Sequence, residues 1–344
     1  MNIREALSKI VVGESLSQAD MREVMQLVMN GEATQAQIGG FLVALRMKGE
    51  TIDEITGAVE VMRELATPVN VTADNLVDTC GTGGDGSNLF NVSTASAFVA
   101  AAAGAHVAKH GNRSVSSSTG SADVLEQAGV NLATSAEHVA RAIEQIGVGF
   151  MFAPSHHGAM KYAVGPRREL GIRTMFNMLG PMTNPAGVKR QVLGVFKREL
   201  CRPLAEVLNR LGSSHVMVVN AEDGLDELSI AAPTHVAELK DGVITEYQIH
   251  PKEFKLDYSD LNGLEVGSSE ESLTLINAVF SRKKDHAVDK AAGIIKLNAG
   301  ASIYVSGVAS SLQEGILMAE DAIASGAAKE KIKELVEFTS ITEE

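Results

Sequence analysis

Four stretches of this chain carry residue types that could do chemistry, and the first is Asp78-Thr79-Cys80-Gly81-Thr82-Gly83-Gly84-Asp85-Gly86, continued by Asn91-Val92-Ser93-Thr94. Glycines at 81, 83, 84 and 86 remove the Cβ from most of a turn, so main-chain amides can close on a bulky anion. Ser93 and Thr94 add hydroxyls and open amides at a helix N-terminus, where the dipole favours negative charge. Gly81 to Gly86 also satisfies the G-x-G-x-x-G dinucleotide pattern. Against that pattern, Asp85 inside the turn would repel a pyrophosphate unless a cation lay between them, and the helix starts too late. No Gly-Lys-Ser/Thr follows, which excludes a P-loop. An acid in a phosphate loop points to a ligand delivered with Mg²⁺; a glycine-rich turn without a ligand is the plainer alternative for this motif alone.

The second stretch is Lys109-His110-Gly111-Asn112-Arg113-Ser114-Val115-Ser116-Ser117-Ser118-Thr119-Gly120-Ser121. A cation, a small amide and a run of hydroxyls can wrap phosphate oxygens, and Lys109 directly after apolar residues stands where a strand should end, a usual ligand position in open α/β sheets. Ser121 or Thr119 would cap the next helix; a solvated loop with ordinary caps is the alternative. The third stretch holds His156-His157 and, further on, Gly165-Pro166-Arg167-Arg168-Glu169. Neighbouring histidine side chains diverge and no His or Cys follows at i+3 or i+4, which argues against zinc. One imidazole packing in a pocket fits better, with one arginine reaching a ligand carboxylate as a bidentate fork and the other meeting Glu169 or solvent. The fourth is Asp223-Gly224-Leu225-Asp226-Glu227-Leu228-Ser229. Consecutive acids rarely address one reacting atom as an acid/base pair. Mg²⁺, which takes one or two carboxylates and shares phosphate oxygens, suits them better than an acidic surface loop does.

Positioning these stretches requires strands that end where they begin. Leu76–Asp78, His106–Lys109, Gly149–Phe152, Val192–Val195 and Val216–Asn220 read as buried strands separated by helices, the pattern of an α/β domain. Val236–Leu239 and Val243–Ile249 flank Asp241-Gly242, a two-residue hairpin signal. An alanine-rich helix is expected over Ser93–Ala103, and the C-terminal part is helical over Asp285–Leu297, Leu312–Ala324 and Lys329–Phe338. Residues 1 to about 66 read as helices only: an apolar stripe at Ile3, Ala6, Leu7 and Ile10, an N-cap at Ser17, and capping boxes at Thr34/Gln37 and Thr51/Glu54. The expected organisation is a small all-helical domain over 1–70, completed by a helical segment near 160–180, and an α/β domain over 71–344.

Of the 344 residues 45% are hydrophobic and 21% charged, an ordinary soluble composition. The net charge of −13 argues against a nucleic-acid surface, which needs clustered Lys and Arg. No apolar run approaches the roughly 18 residues of a membrane span, and the N-terminal residues lack a signal-peptide core. Two distant cysteines, Cys80 and Cys201, form no disulfide framework. A cytoplasmic setting is expected.

With these stretches in hand, the chain resembles the anthranilate phosphoribosyltransferases over nearly its full length. The glycine turn, Phe90-Asn91-Val92-Ser93-Thr94, Lys109-His110-Gly111-Asn112-Arg113, the segment Leu170–Pro181 and the Asp226-Glu227 pair carry the resemblance. It implies a homodimer through the helical domain and a nucleoside phosphorylase-like fold: a small helical domain plus a larger α/β domain with a central, mostly parallel sheet. It also implies the reaction of anthranilate with phosphoribosyl pyrophosphate to give N-(5-phosphoribosyl)anthranilate and pyrophosphate, in tryptophan biosynthesis. By the same resemblance Gly81, Gly84, Asp85, Leu89, Asn91, Val92, Ser93 and Thr94 hold phosphoribosyl pyrophosphate, together with Lys109, His110, Gly111, Asn112, Arg113, Ser114, Val115, Ser116, Ser117 and Ser121. Ser93, Asp226 and Glu227 match the Mg²⁺ positions, and Gly81, Asn112 and Arg167 the anthranilate contacts, with His110 and His157 lining that pocket. Gly165-Pro166-Arg167 departs from the family's common Pro-Val-Arg, which leaves Arg167 and Arg168 as alternatives for the carboxylate. No general base is assigned; His110 is the one candidate proton acceptor. A nucleoside phosphorylase and a nucleic-acid-binding relative are the rival readings, the first opposed by the carboxylate-reading arginine and acidic pair, the second by the net charge.

Overall fold

A computed structural model describes residues 1–114, 118–256 and 258–341. Four helices open the chain: α1 (Ile3–Ile10), α2 (Gln18–Met29), α3 (Gln35–Lys48) and α4 (Ile52–Glu64). Ser17 caps α2, and Thr34 with Gln37 and Thr51 with Glu54 close reciprocal capping boxes on α3 and α4, so the local signals set these starts. Glu54 does more than cap. Fully buried, it accepts from Leu16 N at 2.9 Å and pairs with Lys48 Nζ at 2.9 Å, which joins the α1–α2 turn to α3 and α4.

Seven strands follow: β1 (Leu76–Gly81), β2 (His106–Gly111), β3 (Val148–Phe152), β4 (Arg190–Gly194), β5 (His215–Ala221), β6 (Thr234–Lys240) and β7 (Val243–Ile249). They form one sheet in the order β3-β2-β1-β4-β5-β6-β7, parallel from β3 to β5 and antiparallel at β6 and β7. Asp241 and Gly242 turn the β6–β7 hairpin with φ of 49° and 80°, the left-handed pair that a tight hairpin needs. Along β5, Val216 and Val218 belong to one apolar cluster while Met217, Val219 and Ala221 belong to another. Both faces of the sheet are thus covered, which is why its strands read as continuous apolar runs.

One face carries α5 (Val92–Ala102) beneath the long helix His286–Ser306 and the helices Leu312–Ala324 and Ala327–Ser340. Almost wholly enclosed, α5 buries Val92, Phe98 and Val99 beside its alanines. The other face carries the helix Cys201–Arg210 and, beyond it, the four-helix bundle. Lys161–Leu170 packs on α3 and α2, and Met175, Phe176, Met178 and Leu179 join the same apolar cluster as Met21, Phe41 and Leu193. Arg63 Nε on α4 donates to Met182 O at 2.7 Å, tying the bundle to the segment that leads into β4.

Two expectations are corrected. The helix read as ending at Leu297 runs on to Ser306. Asn298 and Gly300 resemble a stop signal locally, but Asn298 serves a distant loop and Gly300 packs against Ile316, where a Cβ would meet the main-chain N at 2.7 Å. The helix Ser121–Gln127 is capped by neither Ser121 nor Thr119: Gly120 holds the N-cap position, and Asp123 reaches back to its amide at 2.9 Å.

Candidate active site

The strand order reverses between β1 and β4, and a sheet of this kind binds ligands outside the carboxyl ends of its strands at such a point. All four chemical stretches converge there. The glycine turn leaves β1, the Lys109 stretch leaves β2, the His156-His157 segment leaves β3, and the acidic loop leaves β5.

The glycine turn and the acidic loop touch. Gly83 N donates to Asp226 Oδ2 at 2.7 Å. Any Cβ on Gly81 would stand 2.2 Å from that oxygen, and one on Gly194 at the end of β4 would stand 1.5 Å from Asp226 O. Glycine at both strand ends is therefore a condition of the contact. The loop is held from behind by Asn298, whose Oδ1 accepts from Leu228 N and whose Nδ2 donates to Leu228 O, both at 2.9 Å. Asp223 braces it by accepting from Ser229 Oγ at 2.5 Å.

Burial, reinforced by the neighbouring Asp85 carboxylate and opposed by the Gly83 amide, lifts the Asp226 pKa to about 6. Glu227 is pushed up too, by burial first, then by Asp226. Two adjacent carboxylates that repel each other fit a hard cation bound through oxygen. Among the described residues no group of three or more His, Cys, Asp or Glu side chains is placed to hold a metal. A pair of carboxylates suits Mg²⁺, which takes one or two carboxylates and retains water and substrate oxygens.

Lys109, nearly enclosed, donates to Thr79 O at 2.6 Å and Ser93 Oγ at 3.3 Å. It cross-links β1, β2 and the start of α5 while its charge offsets the buried Asp78 and the half-buried Glu227. Asp78 in turn accepts from Asn184 Nδ2 at 2.8 Å and His110 N at 3.3 Å. The helix α5 begins at Val92, one residue earlier than expected, with Asn91 as N-cap and no side chain bonded to its first amides. Asn91 is pinned instead, its Oδ1 accepting from Ser272 Oγ at 2.8 Å.

His110 and His157 face each other with ring centroids 5.1 Å apart. Burial, then the neighbouring histidines and Lys109, holds His110 at about 3; burial and His156 hold His157 at about 4. Both imidazoles are neutral. Among the described residues their Nε2 atoms are buried without a hydrogen-bond partner; such groups are costly in a fold, and two side by side mark a polar ligand site. Beside His157, Met29, Met62, Leu65, Ala159 and Met160 line a small apolar cleft of about 10 Å³. His156 is set apart, its Nδ1 bonded to Thr67 O at 3.0 Å.

Of the two arginines, Arg167 is drawn inward over the Phe176 ring at 5.2 Å, while Arg168 and Glu169 are exposed. The structure does not bring Arg113 to the glycine turn. Its guanidinium forms a fork on Glu126, at 2.7 and 2.9 Å, and meets Asp123 at 3.2 Å. Asn112 is exposed, its Oδ1 accepting from Arg113 N at 2.7 Å, and Ser121 Oγ lies 3.4 Å from Asn112 O. Gly84, Leu89, Gly111 and Ser114 lie in the same two loops, and Val115, Ser116 and Ser117 lie outside the described residues. Motif reasoning passed over Asn184, Ser272 and Asn298, because their partners are 70 or more residues away, and assigned no role to Arg173.

A family model described as the glycosyl transferase family α/β domain matches residues 73–329, and one for that family's helical bundle domain matches residues 4–66. The anthranilate phosphoribosyltransferase of Teredinibacter turnerae is 69% identical over 341 residues, covering 99% of this chain and 100% of that protein. Among solved structures, the anthranilate phosphoribosyltransferase of Thermus thermophilus superposes with a TM-score of 0.91 at 42% identity, covering 98% of this chain and 99% of that one. The Saccharomyces cerevisiae enzyme in complex with phosphoribosyl pyrophosphate and Mg gives 0.90 at 25% identity, covering 98% of each. Helical bundle and doubly covered sheet agree with these matches, and the chain belongs to the anthranilate phosphoribosyltransferase family.

Proposed function

We propose that the loops at the carboxyl edge of the sheet divide one reaction between them: phosphoribosyl pyrophosphate and anthranilate give N-(5-phosphoribosyl)anthranilate and pyrophosphate, a step of tryptophan biosynthesis. The observation that carries this assignment of roles is the 2.7 Å bond from Gly83 N to Asp226 Oδ2, which sets a phosphate turn against a half-buried acidic pair. Gly81, Gly84, Asp85, Leu89 and the Asn91–Thr94 helix start, with the 109–121 loop, hold phosphoribosyl pyrophosphate. Asp226, Glu227 and the Ser93 hydroxyl would hold Mg²⁺, which when bound supplies counter-charge for the polyphosphate. The open amides at the start of α5 stabilise charge that builds on the departing group without having to reorganise.

Anthranilate presents a carboxylate beside an aromatic amine. Arg167 grips the carboxylate as a fork, Asn112 adds an amide donor, and His110 and His157 line the pocket. An aromatic amine is uncharged near neutral pH, so orientation matters more than activation. His110 and His157 meet that need as neutral rings with unpartnered Nε2 atoms, and no general base is assigned. A homodimer through the helical bundle is part of the same reading. Val11, Val12 and Met47 supply exposed apolar surface on or beside α1 and α3, at 67, 71 and 84% exposure, and sedimentation of wild type against Met47→Glu measures it.

The deciding experiment follows anthranilate fluorescence. Loss of signal on adding phosphoribosyl pyrophosphate with Mg²⁺, and not on adding phosphate with a nucleoside, is the expected result. The reverse pattern would move the protein to nucleoside phosphorolysis.

A further inference from the structure

We infer that Arg173 is a direct ligand of the polyphosphate leaving group, an assignment that rests on the reading above and adds a residue to it. Arg173 follows Gly171, which ends the helix Lys161–Leu170 in a left-handed turn. Its half-buried guanidinium stacks 4.4 Å from the Phe196 ring centre, and Phe196 is itself tied to the glycine turn through its amide, which donates to Thr82 Oγ1 at 3.2 Å. On its other side lies Gly84. A Cβ there would meet Nη2 at 2.5 Å and Cζ at 2.9 Å, so the guanidinium rests against bare main chain. Arg173 therefore stands at the glycine turn, between β4's exit and the anion cradle.

Beyond a through-space pull on the Asp226 carboxylate, the charge at this point is not committed to a partner. Among the described residues Arg173 makes no ion pair and no hydrogen bond, although a guanidinium carries five donors. The nearby carboxylates are engaged elsewhere: Asp226 by Gly83 N, and Asp85 by Ser87 N at 3.2 Å and Ser87 Oγ at 2.7 Å. The other loop cations are committed too, Lys109 to Thr79 O and Ser93 Oγ, and Arg113 to Asp123 and Glu126. A planar fork fixed by a ring and offered to a phosphate turn matches phosphate oxygens in geometry as well as charge.

In the transfer, the bond from the anomeric carbon to the pyrophosphate oxygen breaks and its electron pair leaves with pyrophosphate. The amine lone pair of anthranilate forms the new bond to carbon, and an amine proton passes to solvent. Arg173 faces the oxygens on which negative charge grows, so its contribution is greatest as that bond breaks.

Two measurements on the full-length protein test this: calorimetric titration with inorganic pyrophosphate and Mg²⁺, and steady-state kinetics with each substrate varied. Arg173→Ala should weaken pyrophosphate binding at least tenfold and lower kcat/KM for phosphoribosyl pyrophosphate by about a hundredfold. The anthranilate KM should stay within threefold. Arg173→Lys should fall between, and added guanidinium ion should restore part of the Ala variant's rate. Phe196→Leu removes the stack and keeps the charge, so it should weaken pyrophosphate binding by about two- to fivefold; it serves if the Ala variant does not fold. Pyrophosphate affinity unchanged in the variants while wild type binds and turns over overturns the role of Arg173 alone. Failure of the wild type to bind pyrophosphate or to consume anthranilate overturns the proposed function with it.

Discussion

The Asp226 carboxylate fills the space beside Gly81: a Cβ on that glycine would lie 2.2 Å from Oδ2 and 2.9 Å from Cγ. Gly81 does not adopt a left-handed backbone, so alanine there is a purely steric change, and the group it displaces is the end of a side chain. Gly194 differs. Its added Cβ would meet Asp226 O at 1.5 Å and Asp226 C at 2.5 Å, main chain that cannot step aside without moving β4 or the whole loop. Gly81→Ala should therefore fold with nearly wild-type stability and lose Mg²⁺-dependent turnover at least tenfold. Gly194→Ala should lose about 1–3 kcal/mol or more of stability, as overpacking does. Denaturant midpoints beside kinetics distinguish them, and matching stability losses would remove the distinction.

The contrast between these glycines shows where reading the chain alone stops. Asp78 and Lys109 were legible because each directly follows an apolar run, and Gly81, His157 and Asp226 because each lies just beyond an expected strand; strand ends in a parallel sheet share one edge. Capping boxes at Thr34 and Thr51 were legible because their partners are three residues away. Asn298 was not, since its partner Leu228 lies 70 positions earlier, and locally it looks like a helix stop. Arg113 reads as a phosphate-loop residue in the sequence, yet its fork closes on Glu126 one helix turn beyond Ala122. Side-chain direction, which decides such cases, depends on neighbours that only the folded chain supplies.

Asp226 gives a prediction about stability and pH. Burial and Asp85 raise its pKa from 3.8 to about 6, so the folded state holds this proton more tightly than the unfolded chain does. Stability is lost as pH rises through that window, and above it the ionised carboxylate is a standing penalty on the order of 3 kcal/mol. In Mg²⁺-free buffer at pH 8, Asp226→Asn should raise Tm by a few degrees, with a much smaller gain at pH 4.5. Added Mg²⁺ should stabilise wild type and leave the variant unmoved, while turnover collapses. Equal melting curves for the two proteins at pH 8 would refute the account.

The histidine pair makes the opposite statement about acid. His110 at about 3 and His157 at about 4 lie far below the ordinary 6.5, so between those values the unfolded chain binds protons that the folded one refuses. Their contribution is complete above pH 6.5 and lost as pH falls. Histidine NMR should find both rings neutral down to pH 5. His157→Asn should flatten the fall in denaturation midpoint between pH 6.5 and 4.5. A ring at either position that takes up its proton near pH 6.5 would contradict the burial argument.

Arg167 and Arg168 are adjacent yet differently placed, and kinetics should tell them apart. Arg167 is drawn against Phe176, where burial lowers its pKa, and makes no ion pair among the described residues; Arg168 is exposed. A charged hydrogen-bonded fork is worth about 1.5–3 kcal/mol, which corresponds to roughly ten- to a hundredfold in affinity. Arg167→Ala should raise the anthranilate KM by that factor and leave the phosphoribosyl pyrophosphate KM within twofold, because the polyphosphate is held by other loops. Arg168→Ala should change neither by more than twofold. Equal losses toward both substrates in the Arg167 variant would mean that it supports the loops and does not read the carboxylate. Arg167→Lys separates charge from shape: it keeps the positive charge without the planar fork, so it should recover only part of the lost anthranilate affinity.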